Sequence, residues 1–339
     1  MRSLTTTRLV FVLGALVLFA GLSAVLGLLV GPSGLSPGEI LGALGPGAEG
    51  PAADIVRGIR LPRVVLALLV GACLAVSGVV FQALLRNPLA DPFILGISGG
   101  AALSGIAVLS LGSLVGLGMS AVPPAAFAGG VAATALLYLF GGFGARFSPT
   151  HLLLTGVVFN AIASAAIVFL ASASGLIESA RIFVWLIGSL ASTRIELVGW
   201  VAVFLAVGLG VAAVLARSLD VLALGDETAL QLGVDVEQHK RWLLGATALM
   251  VAAAVSVSGL IGFVGLIVPH LLRLLIGSEH RLLVPAAALG GGAFLALCDT
   301  LARTLLDGRE LPVGAITALV GGPFFLFLLR TSQRRAFMS

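Results

Sequence analysis

The chain has 339 residues, of which 59% are hydrophobic and only 10% charged. A soluble domain carries about a quarter charged residues, so a water-solvated globule is excluded. The net charge of +4 is almost all arginine, with Lys240 the sole lysine. These charges sit between long apolar runs, which argues against a nucleic-acid surface and points to a basic bias that orients a membrane protein.

At the N-terminus, Arg2 and Arg8 precede an apolar run from Leu9 to Val30. A signal peptide's apolar core is about 7–15 residues, so this longer run reads as a first membrane helix that is retained. Crossing the hydrocarbon takes roughly 20 residues. Stretches of that kind lie at 9–30, 62–85, 93–112, 121–141, 150–172, 194–216, 240–259, 261–276, 282–305 and 312–331. The fold class is therefore all-α, a polytopic membrane protein with about ten transmembrane helices per subunit. Residues 1–339 form a single transmembrane domain on this reading. A tight turn is expected at Ser256–Gly259, and a further short helix fits in 173–193. Glycine is abundant, as helix packing in lipid requires. Cys73 and Cys298 fall inside apolar runs and read as small packing residues, not a disulfide. No His and Cys pair has metal-ligand spacing, so no metal site is expected.

An even number of spans puts both termini on one side, and the arginine bias selects the inside. Arg2, Arg8, Arg86, Arg146, Arg217, Lys240, Arg241, Arg273, Arg281, Arg330, Arg334 and Arg335 then lie inside. Arg57, Arg60, Arg63, Arg181, Arg194, Arg303 and Arg309 lie outside, and the cluster at 57–63 runs against the bias. The Gly- and Pro-rich stretch 31–60 is an outer loop on the same reading. Residues 217–241 are the most charged stretch and form an inner loop. Within it Gly225 and Gly233 bracket helix-forming residues from Asp226 to Leu232, which predicts a short helix lying across the membrane face.

Lys240 sits in QHKRW and not in a G-x-x-x-x-G-K-[ST] loop, so this chain does not cradle ATP by that mechanism. A proton or ion relay needs ionisable groups at mid-membrane. Pro92–Ala145 holds two spans without a carboxylate, which argues against a proton-coupled secondary carrier. Asp299 and Arg303 are four apart and can pair on one helix face near the outer end. No nucleophile–base pair is evident within the spans, which argues against an intramembrane enzyme. Asn160, inside the fifth span, either lines a pathway or bonds a neighbouring helix. His151 and His270 read as interfacial or packed imidazoles.

Residues 60–100 read RLPRVVLALLVGACLAVSGVVFQALLRNPLADPFILGISGG. Gly71 and Ala75 let another backbone approach, and Asn87-Pro88 and Asp91-Pro92 end the helix and force a short rigid turn. This segment resembles the hallmark of FecCD-type permeases, subunits of importers of iron-siderophore, haem and cobalamin. LALGDETALQLGV (222–234), VSVSGLIGFVGLIVPHLLRLLIG (255–277), CDTLART (298–304) and ELPVGAITALVGGPFFLFLL (310–329) resemble further family segments in the same order. The resemblance runs from about residue 55 to the C-terminus. It implies a homodimer in the bacterial inner membrane, multi-pass, with both termini cytoplasmic. Two copies of a separate ABC ATPase would bind ATP and Mg inside, and a periplasmic substrate-binding protein would dock outside.

The resemblance also implies residue roles. Arg60, Arg63 and Arg303 match positions that receive acidic residues of the binding protein; snorkelling toward headgroups is the alternative. Asn87, Leu89, Pro149 and Thr150 match the cytoplasmic gate, although the family's cobalamin member carries a hydroxyl residue where this chain has Pro149. Leu224, Gly225, Asp226, Glu227, Ala229, Leu232 and Gly233 match the helix that couples to the ATPase. The function implied is transport of a bulky metal chelate, iron-siderophore or haem, with cobalamin or an oxyanion as alternatives; the chain itself performs no covalent chemistry.

Overall fold

The computed structural model describes residues 5–140, 149–191, 195–306 and 309–336. Arg2, Arg146 and Arg194, used in the charge pattern above, lie outside the described residues. In chain order the helices are α1 (Thr6–Leu29), α2 (Pro37–Leu44), α3 (Pro51–Ile55), α4 (Leu61–Leu84), α5 (Ile97–Leu111), α6 (Val122–Phe140), α7 (Pro149–Ala173) and α8 (Leu176–Ile187). They continue as α9 (Ile195–Val214), α10 (Ala216–Leu222), α11 (Asp226–Gln231), α12 (Val236–Ser258), α13 (Val264–Ile276), α14 (His280–Thr304) and α15 (Val313–Ala336). A π-helical turn, Val56–Arg60, joins α3 to α4.

Among the described residues, seven helices are long and apolar enough to cross a membrane, and α5, α13 and the first part of α15 are shorter apolar helices. Together they account for the expected spans. The expected extra helix in 173–193 is α8. The turn expected at Ser256–Gly259 falls later: α12 runs through Ser258, and Gly259 (φ 67°) and Phe263 (φ 69°) make the reversal. Ser256 and Ser258 do not break the helix because their hydroxyls donate to the carbonyls of Ala253 and Ala254, each at 2.8 Å. Residues 31–60 are also more ordered than a loop. Ser36 and Glu39 form a capping box at the start of α2, with Ser36 N donating to the Glu39 carboxylate at 2.8 Å. Those bonds hold the Glu39 carboxyl below the usual carboxylate range. Ile40, Ala43, Ala53 and Val56 bury a small apolar cluster of their own.

The core sits around α4. Its membrane-crossing stretch is 83% buried, against 6% for that of α1 and 22% for those of α7 and α9, so α4 is wrapped by other helices while those three present apolar faces outward. Lipid tails are as apolar as leucine, so helices in a bilayer gain little from apolar burial and rely on close packing. Glycine supplies that closeness here. A Cβ on Gly71 would fall 2.2 Å from the carbonyl oxygen of Gly291 in α14, and one on Gly78 would fall 1.9 Å from that of Gly265 in α13. The small pair Gly71 and Ala75 therefore admits α14 as expected: a Cβ on Gly291 would come within 2.4 Å of the Ala75 methyl. Cys73 and Cys298 are buried free thiols in this packing.

With 24 residues, α4 spans about 36 Å and separates two ends of the bundle. One end carries residues 31–60 and the C-terminus of α14, and the other carries α10 and α11. The described ends of the chain emerge together at the α11 end. Arg8 donates to the Ile276 carbonyl at the end of α13, and α15 runs away from the opposite end.

Gly78→Ala should force α4 and α13 apart and cost about 1–3 kcal/mol of stability. Thermal unfolding of the detergent-solubilised protein should show a lowered midpoint. Gly245→Ala, where an added Cβ meets nothing within 4 Å, should leave the midpoint at or above its original value.

Candidate functional site

At the end of the bundle opposite α11, a charged cluster joins α1, α4, α14 and the segment leading into α15. The Arg63 guanidinium forks the Asp299 carboxylate, with Nε at 3.1 Å and Nη2 at 3.0 Å, and its Nη1 reaches Glu310 at 2.8 Å. Arg303 lies one turn after Asp299 on α14 and approaches the same carboxylate at 3.1 Å, the i,i+4 pair that the sequence spacing predicts. Its Nη2 donates to the Gly27 carbonyl at the end of α1. Arg60 donates to the Leu28 carbonyl at 2.6 Å and to the Ser33 hydroxyl. The main-chain acceptors are available because α1 ends there and its last carbonyls have no helical partner.

The arginines matched to binding-protein docking are thus brought together, and all are buried: Arg60 is 3% exposed, Arg63 4% and Arg303 4%. Asp299 is 1% exposed at its side chain, whereas Glu310 is 43% exposed and is the accessible acid of the group. Sequence spacing reveals the Asp299–Arg303 pair but not Arg63–Asp299, whose members are 236 positions apart.

At the other end, α11 starts after Gly225 (φ 126°) and is followed by Gly233 (φ 79°), the bracketing glycines expected for a short helix. Both adopt backbone conformations that a side chain would strain. Of the residues matched to ATPase coupling, Leu224, Glu227, Leu232 and Gly233 are exposed, and Gly225 and Ala229 are buried. Leu224 is 69% exposed and Leu232 63%, joined by Leu230 at 61%, which the sequence reading did not single out. Asp226 turns inward. Its carboxylate meets the Lys240 ammonium at 2.7 Å and the Arg86 guanidinium at 3.4 Å. The preceding helix is fixed separately, because Asp220 of α10 accepts from the main-chain N–H of His280 at 2.9 Å and lies 2.6 Å from its ring nitrogen.

The residues matched to the gate occupy two segments. Asn87 and Leu89 are half-buried in the turn after α4, where Asn87 Oδ1 accepts from the Leu89 N–H at 2.9 Å. Asp91 repeats that turn geometry with Phe93 at 2.8 Å. Pro149 and Thr150 open α7, with Thr150 exposed. Asn160 ties the two segments: its amide donates to the Phe93 carbonyl at 2.8 Å. It also lines a cleft of about 570 Å³ with Phe93, Gly99, Ser164, Leu186 and Leu260, and its bond goes to the turn before α5 rather than to a helix. His151 is exposed near the start of α7, and His270 is half-buried in α13. Among the described residues, no group of three His, Cys, Asp or Glu could hold a metal ion.

Replacing Asp299 by alanine removes the buried counter-ion that two guanidinium groups share and should cost about 3–5 kcal/mol, read as a large drop in thermal midpoint. Glu310→Gln should cost only about 0–1 kcal/mol, because its carboxylate is solvated and Arg63 keeps Asp299.

The sequence matches the FecCD transport family over residues 16–331, so the likeness extends well N-terminal of the motifs that first carried it. A cobalamin import system permease protein, BtuC, of Halobacterium salinarum is 47% identical over 83% of this chain and 75% of that protein. A hemin transport system permease protein, HmuU, of Yersinia pestis is 44% identical over 82% of this chain and 84% of that one. A solved metal-chelate type ABC transporter, captured facing inward, superposes with a TM-score of 0.83 at 32% identity, covering 95% of this chain and 99% of that chain. With spans, charged ends and sequence in agreement, the chain belongs to the FecCD transport family, the permeases of ABC importers.

Proposed function

We propose that this protein, as a homodimer, forms the pathway by which an ABC importer carries a bulky metal chelate from periplasm to cytoplasm. Two copies of a separate ATPase dock on α11 at the cytoplasmic face and bind ATP and Mg. A periplasmic binding protein docks at the Arg60, Arg63 and Arg303 end. The assembly sits in the bacterial inner membrane with both termini of this chain cytoplasmic. ATP-driven closure of the ATPases moves α11 and switches the cleft beside Asn160 between outward and inward access.

The observation that carries this reading is the surface of α11. Leu224, Leu230 and Leu232 project into solvent at an end of the bundle, next to the exposed acid Glu227. An exposed apolar patch of this kind calls for a partner. Lipid is the poorer candidate, because anionic inner-leaflet headgroups repel acidic side chains. At the opposite end the half-exposed Glu310 is the acid that a binding-protein carboxylate would displace from Arg63, since a guanidinium fork suits either one.

The cleft at Asn160 is lined mainly by apolar side chains and main chain, which suits a large chelate recognised chiefly by the binding protein. Iron-siderophore or haem fits this description. Cobalamin is the second reading, favoured by the name of the 47% identical relative.

The complex with its ATPase and binding protein, reconstituted in liposomes, should take up labelled haem, iron-siderophore or cobalamin only when ATP is present. Uptake by this chain alone, without ATP, would contradict the proposal. Leu224→Asp with Leu232→Asp should release the ATPase on co-purification while the permease still inserts in the membrane.

A further inference from the structure

Asp226 lies in the helix proposed to receive the ATPase, yet its carboxylate points into the protein. Its two cations differ in kind. Lys240, on α12, is buried with its side chain 2% exposed and holds Asp226 Oδ2 at 2.7 Å. Arg86, the second residue past α4, is 38% exposed at its side chain and stands 3.4 Å from Oδ1, an ion contact longer than a hydrogen bond. The first contact is short and buried; the second is long and accessible to water.

Arg86 has a further peculiarity. Its φ is +49°, in the left-handed region, where glycine would be unstrained. The chain reverses there, with Arg86 N donating to the Ala83 carbonyl and Asn87 N to that of Gln82. A large side chain at such a position needs a use, and the guanidinium has one: Nη1 lies 3.5 Å from where a Cβ of Gly225 would be, against the main chain that starts α11. The next residue is Asn87, and the turn it opens ends at Phe93, whose carbonyl Asn160 of α7 holds. Polar contacts at both ends, Asp226 to Arg86 and Asn160 to Phe93, are therefore joined by the main chain of residues 86–93 between α11 and the wall of the cleft.

We propose that Asp226 is the joint between α11 and the inner turn, with Lys240 as its fixed pivot and Arg86 as the arm that makes and breaks contact during transport. Arg86 is a positioning residue: it touches neither substrate nor nucleotide. It transmits the displacement of α11 to the residues at the mouth of the cleft. A variant that removes the arm and leaves the pivot separates energetic coupling from mere contiguity.

The inference rests on the proposed docking of an ATPase on α11, and the test separates the two. The experiment uses the full complex of this chain, its ATPase and its binding protein in liposomes, measuring ATP hydrolysis and substrate uptake in parallel. Arg86→Gln should leave the ATPase bound and hydrolysis near the wild-type rate, while substrate moved per ATP falls on the order of tenfold. Arg86→Lys, which keeps a cation facing Asp226, should recover most of that loss; a merely structural defect at the left-handed position would not respond to charge. Wild-type coupling in Arg86→Gln would overturn the joint, as would loss of hydrolysis in step with uptake. Failure of the wild-type chain to bind the ATPase would instead sink the docking proposal on which it rests.

Discussion

Close contact between helix backbones governs this structure. In water a helix can be held by apolar burial alone, but in lipid that drive is absent and van der Waals packing has to replace it. The carbonyls of Gly291 and Gly265 approach α4 where any side chain would intrude, so α14 and α13 lie directly against it. Two further constraints follow. The 24 residues of α4 become a stiff rod between the two ends of the bundle. Charges that such a dry rod cannot tolerate are gathered at those ends, where Asp299 and Asp226 each pair with two cations.

The ends solve the charge problem differently. At the arginine end, Asp299 is shared by Arg63 and Arg303, and spare guanidinium nitrogens take the free carbonyls of α1. That cluster clamps α1, α4 and α14 together and exposes only Glu310 to replacement. At the α11 end, the single carboxylate of Asp226 lies between a buried ammonium and a more exposed guanidinium. One end is thus closed by a buried ion cluster, and the other rests on a carboxylate with one buried and one more exposed cation. Under the proposals above, the first end stays steady while the second moves.

Much of this was legible in the sequence because it is local. Apolar length locates the spans, and Gly225 and Gly233 mark the limits of α11. The four-residue spacing of Asp299 and Arg303 gives their pair. Spacing could not show that Arg60, Arg63 and Arg303 are buried, because their partners lie far along the chain. For the same reason Asp226 reads as a surface acid until folding places Lys240, 14 positions away, beneath it. Ser256 and Ser258 suggest a turn by composition, yet α12 runs through them, with each hydroxyl returning its hydrogen bond to the preceding helical turn. Residues 31–60 show the converse. Their glycines and prolines read as a loop, but proline opens both α2 and α3, at positions where its missing N–H costs nothing.

If α11 receives a partner, it must lie at the cytoplasmic surface beneath it. Leu232→Cys offers a direct measurement, since its side chain is exposed and both native thiols are buried. A membrane-impermeant maleimide should label this cysteine in inverted vesicles and not in intact cells, and the ATPase should protect it. Labelling in intact cells would put α11 on the wrong face, and labelling indifferent to the ATPase would leave the helix without its partner.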